Sequence, residues 1–290
     1  MGRVRVCCVQ RVVLYTFRPK PSQHPTKNCN TLYTPLMQHP YTLNQLQQIL
    51  ATIDELDGWD FSRVRREHDP LPWNYMDIVP QYLKPTSRVL DIGTGGGEKF
   101  FSLASQFGEG VAVDHWPRQI ESAKRNLVNQ SIDNVTVALM GANALQFADA
   151  SFDIVLTRHL RVYPSEILRV LRPGGYFITQ QVGQFSSMNI LDAFGWTPAS
   201  FGPDWWQPTT QVANEFRALG CHIVAQAEYD VPFWYQDIES FLFWLTSVPW
   251  PASIELEKHW QNINRLLDSA KSERGIKTNE HRCLLIVQKN

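Results

Sequence analysis

No aspartate or glutamate occurs in the first 53 residues, while six arginines and lysines do, so this segment carries +6 in a chain of net charge −1. The rest is therefore near −7, which argues against a broad phosphate-binding surface. Three readings of the basic leader stand: an organellar transit peptide, a disordered nucleic-acid-binding arm, or an upstream extension without a fold. The last is the plainest. It makes residues 1–36 a disordered leader and starts the domain near Met37. The apolar run Val12 to Phe17 is too short for a secretory signal core.

Long apolar runs are also missing. The longest, Phe241 to Trp250, is interrupted by Thr246 and Ser247 and is too short to span a bilayer. No membrane partner is expected, and the chain reads as a soluble, cytoplasmic protein. Cysteine pairing is absent as well: Cys7, Cys8, Cys29, Cys221 and Cys283 are scattered, odd in number and without paired metal-ligand spacing. A reducing compartment fits that usage, and no metal is expected.

What remains is an ordinary globular composition, 43% hydrophobic over 290 residues, enough for one large domain with insertions. Its most informative stretch is Val89-Leu90-Asp91-Ile92-Gly93-Thr94-Gly95-Gly96-Gly97-Glu98, followed by Lys99-Phe100-Phe101-Ser102-Leu103-Ala104. An apolar strand, a glycine turn and a helix N-terminus follow one another, the layout that holds a nucleotide-like cofactor at a sheet edge. A dinucleotide-binding turn goes straight from strand to first glycine, since a carboxylate there would repel the pyrophosphate. Asp91, two residues before Gly93, suits a ligand with a cationic part instead. S-adenosylmethionine, with its ammonium and sulfonium, is such a ligand.

Periodicity beyond this turn alternates strand and helix. Strands are expected near 88–92, 110–114, 135–139, 153–157, 175–180, 222–230 and 283–288. Helices are expected near 97–107, 117–129, 164–171 and 210–219, with another capped by Thr42 and one within Asp69 to Tyr82. That order implies an α/β fold with a parallel sheet covered on both faces.

With these residues in place, the chain resembles the class I S-adenosylmethionine-dependent methyltransferases, in the branch called methyltransferase type 11. The match rests on Asp91, Gly93, Gly95 and Gly97, on Asp114, on Ser151-Phe152-Asp153-Ile154-Val155-Leu156, and on Leu171-Arg172-Pro173-Gly174-Gly175. The resemblance implies a Rossmann-like, doubly wound seven-stranded sheet, mostly parallel with an antiparallel last strand. Helical lid insertions are expected at 184–208 and 234–281, within a domain spanning 37–290.

The glycines, with Thr94 between them, let main-chain amides approach the methionine part of the cofactor. Asp114, 23 residues after Asp91, can accept both ribose hydroxyls. His115 and Trp116 follow it, and Trp116 either packs along the adenine or joins the core. Family members commonly place an aspartate where this chain has Gly141. Here the Ala142 amide can still reach a ring nitrogen, and Asn143 is the candidate replacement acceptor. Arg158 and His159 end the fourth strand, close to the transferred methyl. His159 is the candidate catalytic residue, against the plainer reading of a hydrogen-bonding turn histidine. No dedicated base is required, because much of the catalysis of a displacement at sulfonium can be positioning and desolvation.

Aromatics concentrate in the insertions: Trp196, Trp205, Trp206, Phe233, Trp234, Tyr235, Phe241, Phe243, Trp244, Trp250 and Trp260. They read either as a lid over an apolar acceptor or as the core of a helical subdomain, with most of them core. Absent are the Asn-Pro-Pro-Tyr and Asp-Pro-Pro-Tyr runs of amino-methylating nucleic-acid enzymes, a Pro-Cys nucleophile pair, and a zinc cluster. The expectation is methyl transfer to a small, partly hydrophobic acceptor. The alternatives are an rRNA or tRNA base methyltransferase, or a cofactor-binding protein without transfer activity.

Overall fold

A computed structural model describes residues 41–53, 56, 59–203 and 205–290. The leader expected at residues 1–36 lies outside the described residues. The described chain runs α1 (Leu43–Ala51), β1 (Arg66–His68), α2 (Tyr75–Ile78), β2 (Arg88–Ile92), α3 (Glu98–Phe101), β3 (Glu109–Asp114) and α4 (Pro117–Asn129). It continues through β4 (Val135–Leu139), β5 (Phe152–Arg158), α5 (Pro164–Val170), β6 (Leu171–Val182), α6 (Met188–Phe194) and α7 (Thr209–Ala218). The last elements are β7 (His222–Tyr235), α8 (Ile238–Ser247), α9 (Leu256–Ala270), β8 (Lys271–Ser272) and β9 (Gly275–Gln288).

The strands form one sheet in the order β1-β7-β9-β6-β5-β2-β3-β4, with β8 paired to β9. The pairs β2/β3, β2/β5, β3/β4 and β5/β6 are parallel. The last strand, β9, inserts antiparallel between β6 and β7, as the resemblance implies. Side-chain alternation along these strands builds two cores. Leu90, Ile92, Val111, Val113, Val155, Phe177 and Leu285 face one side with Phe216 of α7. Val89, Ala112, Ile154, Leu156, Ile178 and Leu284 face the other with Phe100 and Ala123. Burial on both faces is why these strands read as continuous apolar runs.

The sheet has nine strands rather than the seven expected. β7 continues to Tyr235, and its last three residues pair with β1 along an otherwise open edge. β8 pairs with the beginning of β9, at Ile276 and Gly275. Both additions extend the antiparallel side and leave the parallel centre unchanged. The helix expected over 97–107 is instead α3 followed by a 3₁₀ turn at Ala104–Gln106. Phe100, Phe101, Leu103, Ala104 and Phe107 are all buried there. That spacing is too dense for one face of a 3.6-residue period, and the chain tightens into i to i+3 bonds such as Leu103 N–H to the Phe100 carbonyl.

A third core lies among helices. Thr42 caps α1 through a reciprocal box with Gln45. The Asn264 side chain holds the Tyr41 backbone at both ends, accepting its N–H and donating to its carbonyl at 2.7 Å each. Leu46 of α1, Ile190 of α6, Phe241, Leu242 and Leu245 of α8, and Ile263, Leu266 and Leu267 of α9 bury one another there. Phe233, Tyr235 and Phe243 join them, and Trp244, Trp250 and Trp260 pack around the margin. Most of the aromatic concentration is therefore core, and Trp205, at 46% exposure, stands outside it. Among the described residues, no helix is long and apolar enough to cross a membrane.

Candidate active site

The carboxyl ends of β2, β3, β4 and β5 converge on the glycine turn. Gly93, Gly95 and Gly97 all take left-handed backbone angles, with φ of 75°, 59° and 81°. At Gly97 a Cβ would stand 2.3 Å from the Phe101 ring, so the turn requires glycine on sterics as well as on φ. The Gly93 and Thr94 N–H groups both donate to the Val113 carbonyl, at 2.8 and 3.1 Å, sewing the turn to β3.

Asp114 ends β3 and is buried. Its Oδ2 accepts the Gly95 N–H and its Oδ1 the Trp116 N–H, each at 3.0 Å. A carboxylate offers about four acceptor positions, so both oxygens keep capacity for outside donors. His115 lies beside it, Nδ1 at 3.6 Å from Oδ1. Trp116 is 59% exposed, with the His115 ring edge-on at 5.5 Å, so it is not a core tryptophan.

Asp91 is half-buried yet deep among protein atoms. Desolvation pushes its pKa up to about 6, and Asp114 adds to the rise, while Thr94 and Arg158 oppose it. Thr94 hydrogen-bonds the Asp91 carboxylate, and the Arg158 Nε is buried without a hydrogen-bond partner among the described residues. A buried unsatisfied polar atom beside an acid of raised pKa marks this as a candidate functional site. Arg158 also lies 5.3 Å from the Tyr75 ring centroid. The Tyr75 hydroxyl donates to the Ile178 carbonyl at 3.3 Å, and its pKa is raised far above the phenol range by burial, then by Asp91.

After β4, the Met140 N–H donates to the Asp114 carbonyl at 2.8 Å, which brings the third loop to the same tip. A Cβ at Gly141 would stand 2.9 Å from Asn143 Oδ1. The asparagine oxygen thus folds back over the position where family members carry an aspartate. Ala142 packs partly into the sheet core. Glu166 fixes the loop from below by accepting the Leu145 N–H, and Arg169 pairs with that glutamate at 2.9 Å.

His159 takes a left-handed φ of 55°, and its N–H donates to the Gln180 carbonyl at 3.2 Å. Its side chain is exposed to solvent. Its imidazole pKa is lowered, first by desolvation and then by Arg158, Arg282 and Arg66, with Glu280 opposing. Glu280 and Arg282 pair directly, Arg282 Nε donating at 2.8 Å.

Asp91, Thr94, Gly95, Asp114 and Arg158 are thus brought together. His115, Trp116 and Asn143 stand at the rim, and His159 stands on the β6 side. Three contributors escaped the sequence reading. Trp59 lies over the turn, its Cδ1 2.8 Å from where a Gly95 Cβ would be. Tyr75 forms the wall behind Arg158, and Trp73 donates to Gln180 Oε1 at 3.0 Å. Tyr75 sits in the stretch read as a helix before the first strand, but nothing in the sequence ties it to the turn. Trp59 has no local signal at all.

The chain matches the model of the methyltransferase domain family over residues 83–236. Curated relatives include ribosomal protein L11 methyltransferase of Geobacillus thermodenitrificans, 28% identical over 40% of this chain and 39% of that protein. The ubiquinone/menaquinone biosynthesis C-methyltransferase UbiE of Ectopseudomonas mendocina is 27% identical over 51% of this chain and 62% of its own length. The 2-methyl-6-phytyl-1,4-hydroquinone methyltransferase of Synechocystis is 31% identical over 42% and 39%. The chain therefore spans between 39% and 62% of the length of these relatives. In fold, it is similar to the YcgJ protein of Bacillus subtilis, with a TM-score of 0.54 over 74% of this chain and 98% of that one at 18% identity. A putative methyltransferase of Bacillus halodurans gives 0.55 over the same shares at 16% identity. A matched model over more than half of the chain, on a sheet with this strand order and turn, leads to one conclusion: the chain belongs to the methyltransferase domain family, of the class I S-adenosylmethionine-dependent type.

Proposed function

We propose that this chain transfers a methyl group from S-adenosylmethionine to a small, partly hydrophobic acceptor. The observation that carries the reading is the pair of acids at one glycine turn, Asp91 of raised pKa and Asp114 held by two backbone N–H groups. S-adenosylmethionine supplies a methyl on a sulfonium, open to in-line displacement. Asp91 would hold the ammonium, and Asp114, with His115 alongside, the ribose hydroxyls. The Ala142 N–H and Asn143 Oδ1 would meet the adenine, with Trp116 along its face. Gly93, Thr94, Gly95 and Gly97 give the main chain room to approach, and Trp59 shields that end from water.

On the acceptor side, Trp73 and Tyr229 offer apolar surface, with buried Tyr75 behind, and His159, Arg282 and Glu280 a polar end. Trp73 and Tyr229 meet edge-on at 6.4 Å. His159 is placed there as the residue that orients the acceptor. Two relatives have names that specify ubiquinone/menaquinone biosynthesis and a phytyl-hydroquinone, which supports a ring compound over a nucleic acid. The two thiols described, Cys221 and Cys283, are both free, which suits a cytoplasmic setting.

The test is incubation of the full chain with isotope-labelled S-adenosylmethionine and either a metabolite extract or total RNA, read by mass spectrometry. Label in a small-molecule fraction is expected. Label in RNA, with binding that falls steeply with salt, would select the nucleic-acid reading. Tight cofactor binding with no label anywhere would leave a binding protein.

A further inference from the structure

Away from the glycine turn, β7 and β9 bring three donor side chains to one place. A carboxylate oxygen of Glu228, a ring nitrogen of His281 and the Cys283 sulfur all lie within 4.8 Å of one another. The register explains the meeting. Glu228 faces Cys283 across the antiparallel ladder, and His281 is two residues along β9, hence on the same side of the sheet. Cys283 and His281 are buried at 6% and 8% exposure, whereas the Glu228 side chain reaches solvent and leaves a route in.

Two further observations mark this as more than a chance cluster. His281 Nδ1 is buried with no hydrogen-bond partner among the described residues, and Nε2 stands 3.7 Å from Glu228 Oε2, too far for a hydrogen bond. A buried ring nitrogen without a partner is a polar atom whose bonding capacity goes unused. The second is Gly183, just past the end of β6. A Cβ there would stand 2.0 Å from His281 Nδ1 and 2.9 Å from Cys283 Sγ, so the cluster exists only because this position is glycine.

We propose that Glu228, His281 and Cys283 form a binding site for a divalent cation of the zinc kind. The donor set chooses the class. One sulfur, one nitrogen and one oxygen suit a borderline-soft cation, whereas magnesium and calcium take oxygen ligands. Three protein ligands leave a fourth tetrahedral position for water or another ligand. Bond lengths of about 2.0–2.3 Å place such donors roughly 3.3–3.8 Å apart, so the cluster closes by about 1 Å on binding. The cation takes Cys283 as thiolate and His281 as neutral imidazole, and the thiol proton passes to the buffer. The site ties β7 to β9 beside the end of β6 and is independent of the methyl-transfer reading. Sequence spacing gives no sign of it, because the ligands come from two strands joined by α8 and α9.

The test is titration of the chelator-stripped, reduced full chain with cobalt(II). A cobalt–thiolate charge-transfer band that saturates at one equivalent, disappears when zinc is added, and forms with release of one proton is expected. Cys283→Ser should lose the band. A variant with Ser in place of Cys7, Cys8, Cys29 and Cys221 should keep it. Glu228→Ala, at an exposed position where folding is not at risk, should weaken cobalt binding at least about tenfold. Gly183→Ala should weaken it too, with circular dichroism and S-adenosylhomocysteine binding reporting that the fold survives. A band that persists in Cys283→Ser, or no saturable binding in the micromolar range, overturns the proposal. So does a thiol that alkylates at the same rate with and without zinc.

Discussion

The Gly95 N–H donates to Asp114 Oδ2 at 3.0 Å, so the glycine turn after β2 and the tip of β3 are a single unit. Asp114 does two jobs from this position. It fixes the turn's conformation through Gly95 and Trp116, and it keeps free lone pairs, which the proposed function assigns to the ribose. Asp114→Ala should therefore weaken S-adenosylhomocysteine binding by about 1–3 kcal/mol, roughly a five- to 150-fold rise in Kd. Asp114→Asn, which retains one acceptor oxygen, should lose less. Calorimetric titration decides this, and an unchanged Kd in the alanine variant would remove the ribose assignment.

Asp91 gives the cofactor site a pH dependence whose sign can be worked out. Its pKa is raised to about 6 in the fold, against about 3.9 in an unfolded chain. Between those values the native state holds the extra proton. Stability without ligand should therefore fall as pH rises through this window and stay lower above it. Binding runs the other way. An ammonium group pairs with the ionised carboxylate, so S-adenosylhomocysteine affinity should rise as pH climbs past about 6. Asp91→Asn should flatten both slopes. Titrations at a series of pH values measure this, and a slope that survives in the Asn variant would place the titrating group elsewhere.

Trp59 leans on the turn from a segment that the cofactor motif does not include. Its ring centroid lies 5.9 Å from Phe61, and Phe61 lies 5.9 Å from Phe243 of the helical core, so aromatic contacts run from α8 to Gly95. Trp59→Ala should cost about 1 kcal/mol of cofactor affinity, near fivefold, with the melting temperature little changed because the side chain is half exposed. Equal affinity in the variant would mean that Trp59 only caps the loop.

The parallel centre was legible because burial on both faces leaves apolar runs of strand length between turn residues. β4 and α4 fall on their expected limits, 135–139 and 117–129. The glycine turn was legible for a related reason, since its glycine spacing and Asp91 are local in sequence. Tyr75, Trp59 and Trp73 were not, because they reach the site from a stretch whose pattern reports only its own helix and loop. The ends of β7 and β9 were misjudged for another reason. Phe233, Trp234 and Tyr235 look like helix-core aromatics in sequence, yet they are strand residues whose partners lie at 276–278 of β9.

That same pairing changes what can be expected of residues between β7 and β9. Residues 247–277 carry α9 and the first residues of β9, and Leu256, Ile263, Leu266, Leu267 and Ile276 among them are core. A single core change is the probe. Leu266 is 1% exposed among α1, α8 and α9 residues. Leu266→Ala should cost about 2–5 kcal/mol of stability through lost transfer energy and a residual cavity. Denaturant unfolding measures this, and S-adenosylhomocysteine binding well below the melting temperature should be unaltered. A loss under 1 kcal/mol would mean that the helical layer is loosely packed.

His159 distinguishes proton transfer from positioning. Its pKa is lowered by desolvation and by Arg158, so the ring is neutral at neutral pH and holds its proton weakly. An imidazole that is neutral in the fold and charges in the unfolded chain also makes the fold lose stability as pH falls below the ordinary histidine value near 6.5. A base of lowered pKa is a poor proton acceptor, whereas a fixed neutral ring is a good hydrogen-bonding partner. The His159 resonance, assigned by difference from His159→Gln, should therefore not titrate between about pH 5 and 8 in NMR spectra. With the acceptor identified by labelling, His159→Gln should raise KM more than it lowers kcat and should leave the pH profile in place. A titration midpoint near 6.5, together with a limb of the rate profile that vanishes in the glutamine variant, would instead make His159 the general base.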